Sequence, residues 1–194
     1  MLVVVAQLHG SATEGIDQQL QAPLVVIQQF KAVEVAIAKF YIFGDGPERQ
    51  RILDDLVSHG VEDRVLYMGF RPRDEYIEFL MGADVGLVFN SGDVGVPTFP
   101  SKAIDFFRAA VPVLAYVEDA TDFGAILEDE IGAGWSASPS NKALLVEHFK
   151  AVAQAPRETL FSVGRAGQEW YAKHMTVSTI SEQILRSVSP SRVQ

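Results

Sequence analysis

The residues best placed to do chemistry lie in three loops, each following a short apolar run. The first reads His9-Gly10-Ser11-Ala12-Thr13-Glu14-Gly15. Its glycines and small polar residues let a ligand approach the backbone, and a helix starting there offers free N–H groups to an anion. It carries neither the G-x-G-x-x-G dinucleotide fingerprint nor a Walker A loop. Without those signatures it reads first as the plain connection of a strand to a helix. The second loop is Gly44-Asp45-Gly46-Pro47-Glu48-Arg49. Glycine on both sides of Asp45 makes a sharp turn, and Pro47 suits a first helical turn. It serves either as a turn with a capping aspartate or as a backbone wall for a nucleotide.

The third loop, over residues 90–105, is the richest. Long loops inside compact α/β units are usually functional or mobile. Gly95, Val96, Pro97, Thr98, Phe99 and Pro100 lead to Ser101, which reads as an N-cap, with Lys102 in the first turn. A cation at a helix N-terminus opposes the helix dipole. An anion bound there would resolve that conflict. Asp105 follows one turn later, where a carboxylate is favourable as a solvated charge as well as a ligand.

Other chemistries are not marked. The four histidines have no metal-ligand spacing. His59, His148 and His174 read as surface residues of helices, and His9 alone falls at the ligand end of a strand. No Ser-His-Asp set or carboxylate pair follows from spacing, so no catalytic residue is assigned, and no metal site is expected. Phe106, Phe107, Phe149 and Phe161 read as core.

These loops need a frame. Near-continuous apolar runs predict strands over 2–7, 38–43, 64–68, 84–89, 112–116 and 134–137, in the manner of parallel strands covered on both faces. Helical spacing predicts helices over 47–59, 73–81 and 101–110, with Gly60 stopping the first. Pro23 kinks or divides a helix over 15–30. Helices over 141–155, 157–173 and 177–188 close the chain. This alternation implies a doubly wound, Rossmann-like α/β domain over 1–188, with a loose tail over 189–194. Ligands of such sheets bind beyond the carboxyl ends of the strands, where the three loops fall.

Composition agrees. The 194 residues carry a net charge of −9, 48% hydrophobic and 21% charged residues, and no cysteine. That is a globular mixture with enough chain for a real core. The acidic balance argues against nucleic acid as a partner. The absence of cysteine rules out disulfides and thiolate chemistry and fits a reducing, cytoplasmic setting. No run is long and apolar enough to span a bilayer, and residues 1–6 read as a strand rather than a signal peptide.

Taken together, several stretches resemble the nucleotide-binding C-terminal half of family 4 glycosyltransferases with the GT-B fold. They are Phe40-Tyr41-Ile42-Phe43-Gly44-Asp45-Gly46-Pro47-Glu48-Arg49, Val65-Leu66-Tyr67-Met68-Gly69-Phe70, and Tyr76 with Ala83-Asp84-Val85-Gly86-Leu87. The sharpest is Pro100-Ser101-Lys102-Ala103-Ile104-Asp105-Phe106-Phe107-Arg108-Ala109-Ala110-Val111-Pro112-Val113-Leu114-Ala115. The Pro-Ser-Lys variant looks like bacterial enzymes of surface-polysaccharide synthesis. The resemblance implies a retaining, metal-independent transferase that needs no cofactor beyond its nucleoside-diphosphate sugar. It implies Asp105 at the ribose, where the family usually has glutamate. It places Gly69 and Phe70 near the base, with Gly44 and Thr121 nearby. It places Pro100, Ser101, Lys102, Gly95, Val96, Gly10 and Arg71 near the diphosphate and sugar.

Three departures accompany it. The family's other glutamate falls at Pro97. The basic clamp usual after the first strand is absent from residues 10–15, so Lys102 and Arg71 are the expected substitutes. The chain contains one of the two GT-B halves, which implies a missing N-terminal acceptor domain or a partner chain and little turnover alone. If the parent enzyme works at the inner membrane face, that attachment would lie in the other half. Surface normally covered by that half implies a possible homo-oligomer. The alternatives are the C-terminal half of a sugar-nucleotide 2-epimerase, whose catalytic carboxylates and histidines are not found here, and a non-catalytic scaffold with a degenerate donor site.

Overall fold

The computed structural model describes residues 2–7, 38–45, 49–89 and 99–188. Six strands form one sheet: β1 (Leu2–Gln7), β2 (Ala38–Phe43), β3 (Val65–Gly69), β4 (Val85–Phe89), β5 (Val113–Tyr116) and β6 (Gly134–Ala137). Their spatial order is β3-β2-β1-β4-β5-β6, and every neighbouring pair is parallel. The order reverses between β1 and β4, so the crevice of a doubly wound sheet opens beyond the carboxyl ends of those two strands.

Parity along the strands explains the near-continuous apolar runs. In β2, Phe40 and Ile42 enter one core while Tyr41 and Phe43 enter the other. In β5, Leu114 and Tyr116 take the first side, and Val113 and Ala115 the second. All residues of β4 and β5 are buried, as strands with helices on both faces require.

Helices α1 (Arg49–His59) and α5 (Lys142–Gln154) cover the first face through Ile52, Leu56, Leu145, Phe149 and Val152. Helices α2 (Arg73–Leu80) and α3 (Ser101–Arg108) cover the second through Tyr76, Leu80, Phe106 and Phe107. Phe106 and Phe107 are fully buried, each contributing roughly 1.5–3 kcal/mol of apolar burial. Gly86 makes room for one of them, since a Cβ there would stand 2.5 Å from the Phe106 ring. Helix α6 (Arg157–His174) packs along α3 and leads to α7 (Val177–Val188).

Between β5 and β6 lies a short helix α4 (Phe123–Ala125) that continues as a π-helical stretch, Ile126–Ile131. Glu128 from this stretch accepts hydrogen bonds from the backbone N–H and the hydroxyl of Ser136 on β6. The sequence signals predict no helix here.

The predicted strands recur within one residue of their expected bounds. The expected helix over 15–30 and the tail over 189–194 lie outside the described residues. Three expectations need correction. Phe161 is 62% exposed rather than core, because it lies at the mouth of a surface cavity that it lines with Met81, Ala110 and Leu160. His59, His148 and His174 are half-buried rather than surface residues. His59 lies 2.7 Å from the Asp55 carbonyl, His174 lies against Trp170, and His148 Nδ1 is buried. Finally, Ser101 is the first helical residue, not the cap. Pro100 holds the N-cap position, and its side chain offers no capping hydrogen bond.

Candidate functional site at the carboxyl edge of the sheet

The ends of β2 and β3 meet first. Gly44 N–H donates to the Gly69 carbonyl at 3.0 Å, and the Tyr67 hydroxyl donates to the Gly44 carbonyl at 2.7 Å. Gly44 has φ 131° and Gly69 φ 66°, both in the region that favours glycine. Two of the sequence-predicted residues are therefore joined, and their backbone conformation accounts for their identity. Burial, then the charge of Asp45, raises the Tyr67 pKa, with Arg49 opposing. The Arg49 guanidinium lies 5.9 Å from the centre of the Tyr67 ring. Beyond Gly69, Phe70 is 74% exposed, an apolar ring held out at the strand's ligand end. Arg71 follows, also exposed.

Helix α2 starts next, and its first residue supplies a contact that the sequence signals did not single out. Arg73 Nη2 donates to Asp105 Oδ1 at 2.6 Å, and Nη1 donates to Oδ2 at 3.3 Å. The pair bridges α2 and α3. Its members differ in exposure: the Arg73 side chain is 62% exposed and that of Asp105 only 13%. The hydrogen bond to Asp105, together with its charge, raises the Arg73 pKa. Tyr76, one turn along α2, is 4% exposed, and among the described residues its hydroxyl has no hydrogen-bond partner. Burial first, and the negative charge of Asp105 second, push the Tyr76 phenol far above its usual range.

Asp105 shares α3 with Lys102, one turn earlier. Lys102 is half-buried, and burial alone lowers its pKa. Pro100 gives the helix no side-chain cap, and its carbonyl accepts from Ala103 N–H at 3.0 Å. The chain entering α3 is anchored by Phe99. Its ring stacks on Trp170 at 6.5 Å and meets Phe123 edge-on at 5.1 Å. So α3 presents a half-buried cation in its first turn and a held carboxylate one turn on, with the positive end of the helix dipole beside the cation.

Thr121 lies beyond β5, and its hydroxyl accepts from Phe123 N–H at 3.2 Å, organising the start of α4. Gly10, Gly95 and Val96 fall outside the described residues, so the crevice between β1 and β4 is represented by its α3 wall. Among the described residues no group of three or more His, Asp or Glu side chains is arranged to hold a metal ion, and no helix is long and apolar enough to cross a membrane.

The geometry therefore offers an exposed aromatic ring and two glycines at the β2–β3 end, and an acidic and basic pair of functions on α3. That combination suits a ligand with a flat ring, vicinal hydroxyls and an anionic group.

Comparison with known proteins agrees with the architecture. Residues 2–155 match the family described as "Glycosyl transferases group 1". The chain is 27% identical over 180 residues to the "Probable glycosyltransferase WbjE" of Pseudomonas aeruginosa, covering 90% of this chain and 44% of that protein. It spans less than half the length of the curated relatives it matches. Among solved structures it is similar to Anabaena Alr3699/HepE in complex with UDP and glucose, with a TM-score of 0.70 and 18% identity, covering 96% of this chain and 48% of that one. It is also similar to the C-terminal domain of the group 1 glycosyl transferase LpcC from Francisella tularensis, with a TM-score of 0.64 and 11% identity. That likeness covers 90% of this chain and 87% of the other. With a parallel sheet in this order and a family match over most of its length, the chain belongs to the group 1 glycosyltransferases and forms one Rossmann-like half of their GT-B fold.

Proposed function

We propose that the chain is the nucleotide-sugar-binding half of a retaining, metal-independent family 4 glycosyltransferase, of the Pro-Ser-Lys kind, acting in the cytoplasm in bacterial surface-polysaccharide synthesis. The observation that supports this reading is α3, the helix that follows β4: Lys102 lies in its first turn, and Asp105 one turn on pairs with Arg73 at the start of the helix that follows β3. A carboxylate accepts hydrogen bonds from the two hydroxyls of a ribose. An ammonium and a helix N-terminus oppose a diphosphate. Phe70 offers its face to the base, and the Gly44–Gly69 junction gives the base a close backbone wall. The relative whose structure is described with UDP and glucose supports a nucleotide sugar as the ligand.

In this reading the domain acts through electrostatics. Charge develops on the leaving diphosphate as the sugar departs, and groups already fixed around it stabilise that charge without reorganising. Lys102 suits that role, since burial disfavours its charged form in the free domain and a bound anion restores the balance. The acceptor and the rest of the cleft belong to the other half of the enzyme or to a partner chain. Alone, this half binds donor and turns over little or none. Sugar transfer by the purified chain without a partner would contradict that division of labour.

Calorimetric titration with UDP, GDP and ADP tests the reading. Saturable binding of one of them is expected. Asp105→Ala and Lys102→Met should each weaken it about 10- to 100-fold, as loss of a charge-assisted hydrogen bond does. Binding that ignores both substitutions would remove α3 from the donor site. No binding to any nucleotide would favour a scaffold that kept the fold alone.

A further inference from the structure

The Arg73–Asp105 pair joins two groups that the proposed ligand needs separately. The two Nη atoms of the guanidinium each meet one carboxylate oxygen, at 2.6 and 3.3 Å, so the fork covers one edge of the carboxylate. A vicinal diol donating one hydrogen bond to each oxygen approaches along that same edge. Arginine and diol cannot both occupy it. The two members are unequally free to move. Asp105 is largely enclosed on α3, whereas Arg73 is mostly exposed at the first residue of α2. Displacement therefore moves the arginine.

The displaced cation stays at the mouth of the site. In a nucleoside diphosphate the diphosphate is attached to the ribose, so it lies within an arginine's reach of the same carboxylate. The stretch over residues 10–15 contains no basic residue. On α3 itself the cations are Lys102 and Arg108, each three residues from Asp105, with Arg108 at the far end of the helix.

We propose that Arg73 exchanges partners on ligand binding. It neutralises Asp105 in the free domain, and a nucleoside diphosphate displaces it, the ribose hydroxyls taking the carboxylate while the diphosphate takes the guanidinium. This rests on Asp105 being the ribose acceptor. It adds a binding residue on α2 and an order of events. A bare nucleoside has to break the pair and gives the arginine nothing in return; a nucleoside diphosphate gives it a new partner.

The test compares one diphosphate with its own nucleoside. Whichever of UDP, GDP or ADP binds the 194-residue chain is titrated calorimetrically, and its nucleoside is followed by ligand-observed NMR. Both are measured on the unsubstituted chain, Arg73→Gln and Arg73→Lys. In Arg73→Gln the nucleoside should bind equally or a few-fold more tightly, while the diphosphate weakens about tenfold or more. Arg73→Lys should recover part of the diphosphate affinity. An equal change for both ligands would overturn the exchange and leave Arg73 a structural residue. Weaker nucleoside binding would overturn it in favour of an arginine that only holds Asp105 in place. If Asp105→Ala weakens the diphosphate but Arg73→Gln changes neither ligand, the exchange alone falls. If the unsubstituted chain binds neither ligand, the ribose reading and the exchange fall together.

Discussion

At Tyr76 the protein buries a hydroxyl that finds no partner among the described residues. A buried, unsatisfied donor of this kind costs about 1–3 kcal/mol. Tyr76→Phe keeps the ring that meets Phe43 at 5.3 Å and removes the orphan group. The substitution should raise unfolding stability by about 1 kcal/mol in a denaturant titration. Most tyrosine truncations in a core do the reverse, so the sign decides. The alkaline limb is a second check. Folding raises the phenol's pKa, so the native state favours the protonated form. Stability from this group is complete below the unfolded value of 10.0 and is lost as pH rises through the folded one. Tyr76→Phe should flatten that loss. At this scale the sequence was half legible. Lys102 stood out because a cation at a helix start conflicts with the dipole. The same rule applies to Arg73, the first residue of α2, and would have found it. What no spacing rule supplies is its pairing, because Arg73 and Asp105 lie 32 residues apart.

Among the elements, α3 carries the site and its far end carries a strain. Val111 N–H donates to the Phe106 carbonyl at 2.9 Å and Ala110 N–H to the Phe107 carbonyl at 3.1 Å, the paired bonds of a Schellman ending. The residue between cap and exit is Ala110, with φ 57°, where glycine is usual. Left-handed backbone costs a non-glycine residue about 1–2 kcal/mol. Glycine also loosens the unfolded chain by about 0.4–1 kcal/mol. Ala110→Gly should therefore still gain up to about 1 kcal/mol, read as a rise in thermal midpoint. A fall would mean that the methyl group packs more than it strains. The alternation of strands and helices was legible because each parallel strand must be apolar on both faces. The π-helical stretch was not. Its buried residues are only Leu127 and Ile131, and the run Glu128-Asp129-Glu130 between them reads as a solvated connection.

For the molecule as a whole, α7 is the unmatched surface. None of its residues is buried, and Val177, Ile180, Ile184, Leu185 and Val188 leave an apolar stripe in water. Replacing Ile184 and Leu185 with serine should change folding stability by no more than about 0.5 kcal/mol each, as exposed positions do. It should also lower any concentration-dependent association seen by sedimentation velocity. Unchanged association would place the contact elsewhere on the surface. One other route is already obstructed. Glu128 occupies the N–H of Ser136 on β6, the last strand of the sheet, with β5 on its other side. An open strand edge is a template on which a neighbouring chain can extend the sheet without limit. Here a carboxylate stands in the next strand's place at Ser136, so a chain adding to this edge has to displace a charge, which disfavours fibre growth from β6.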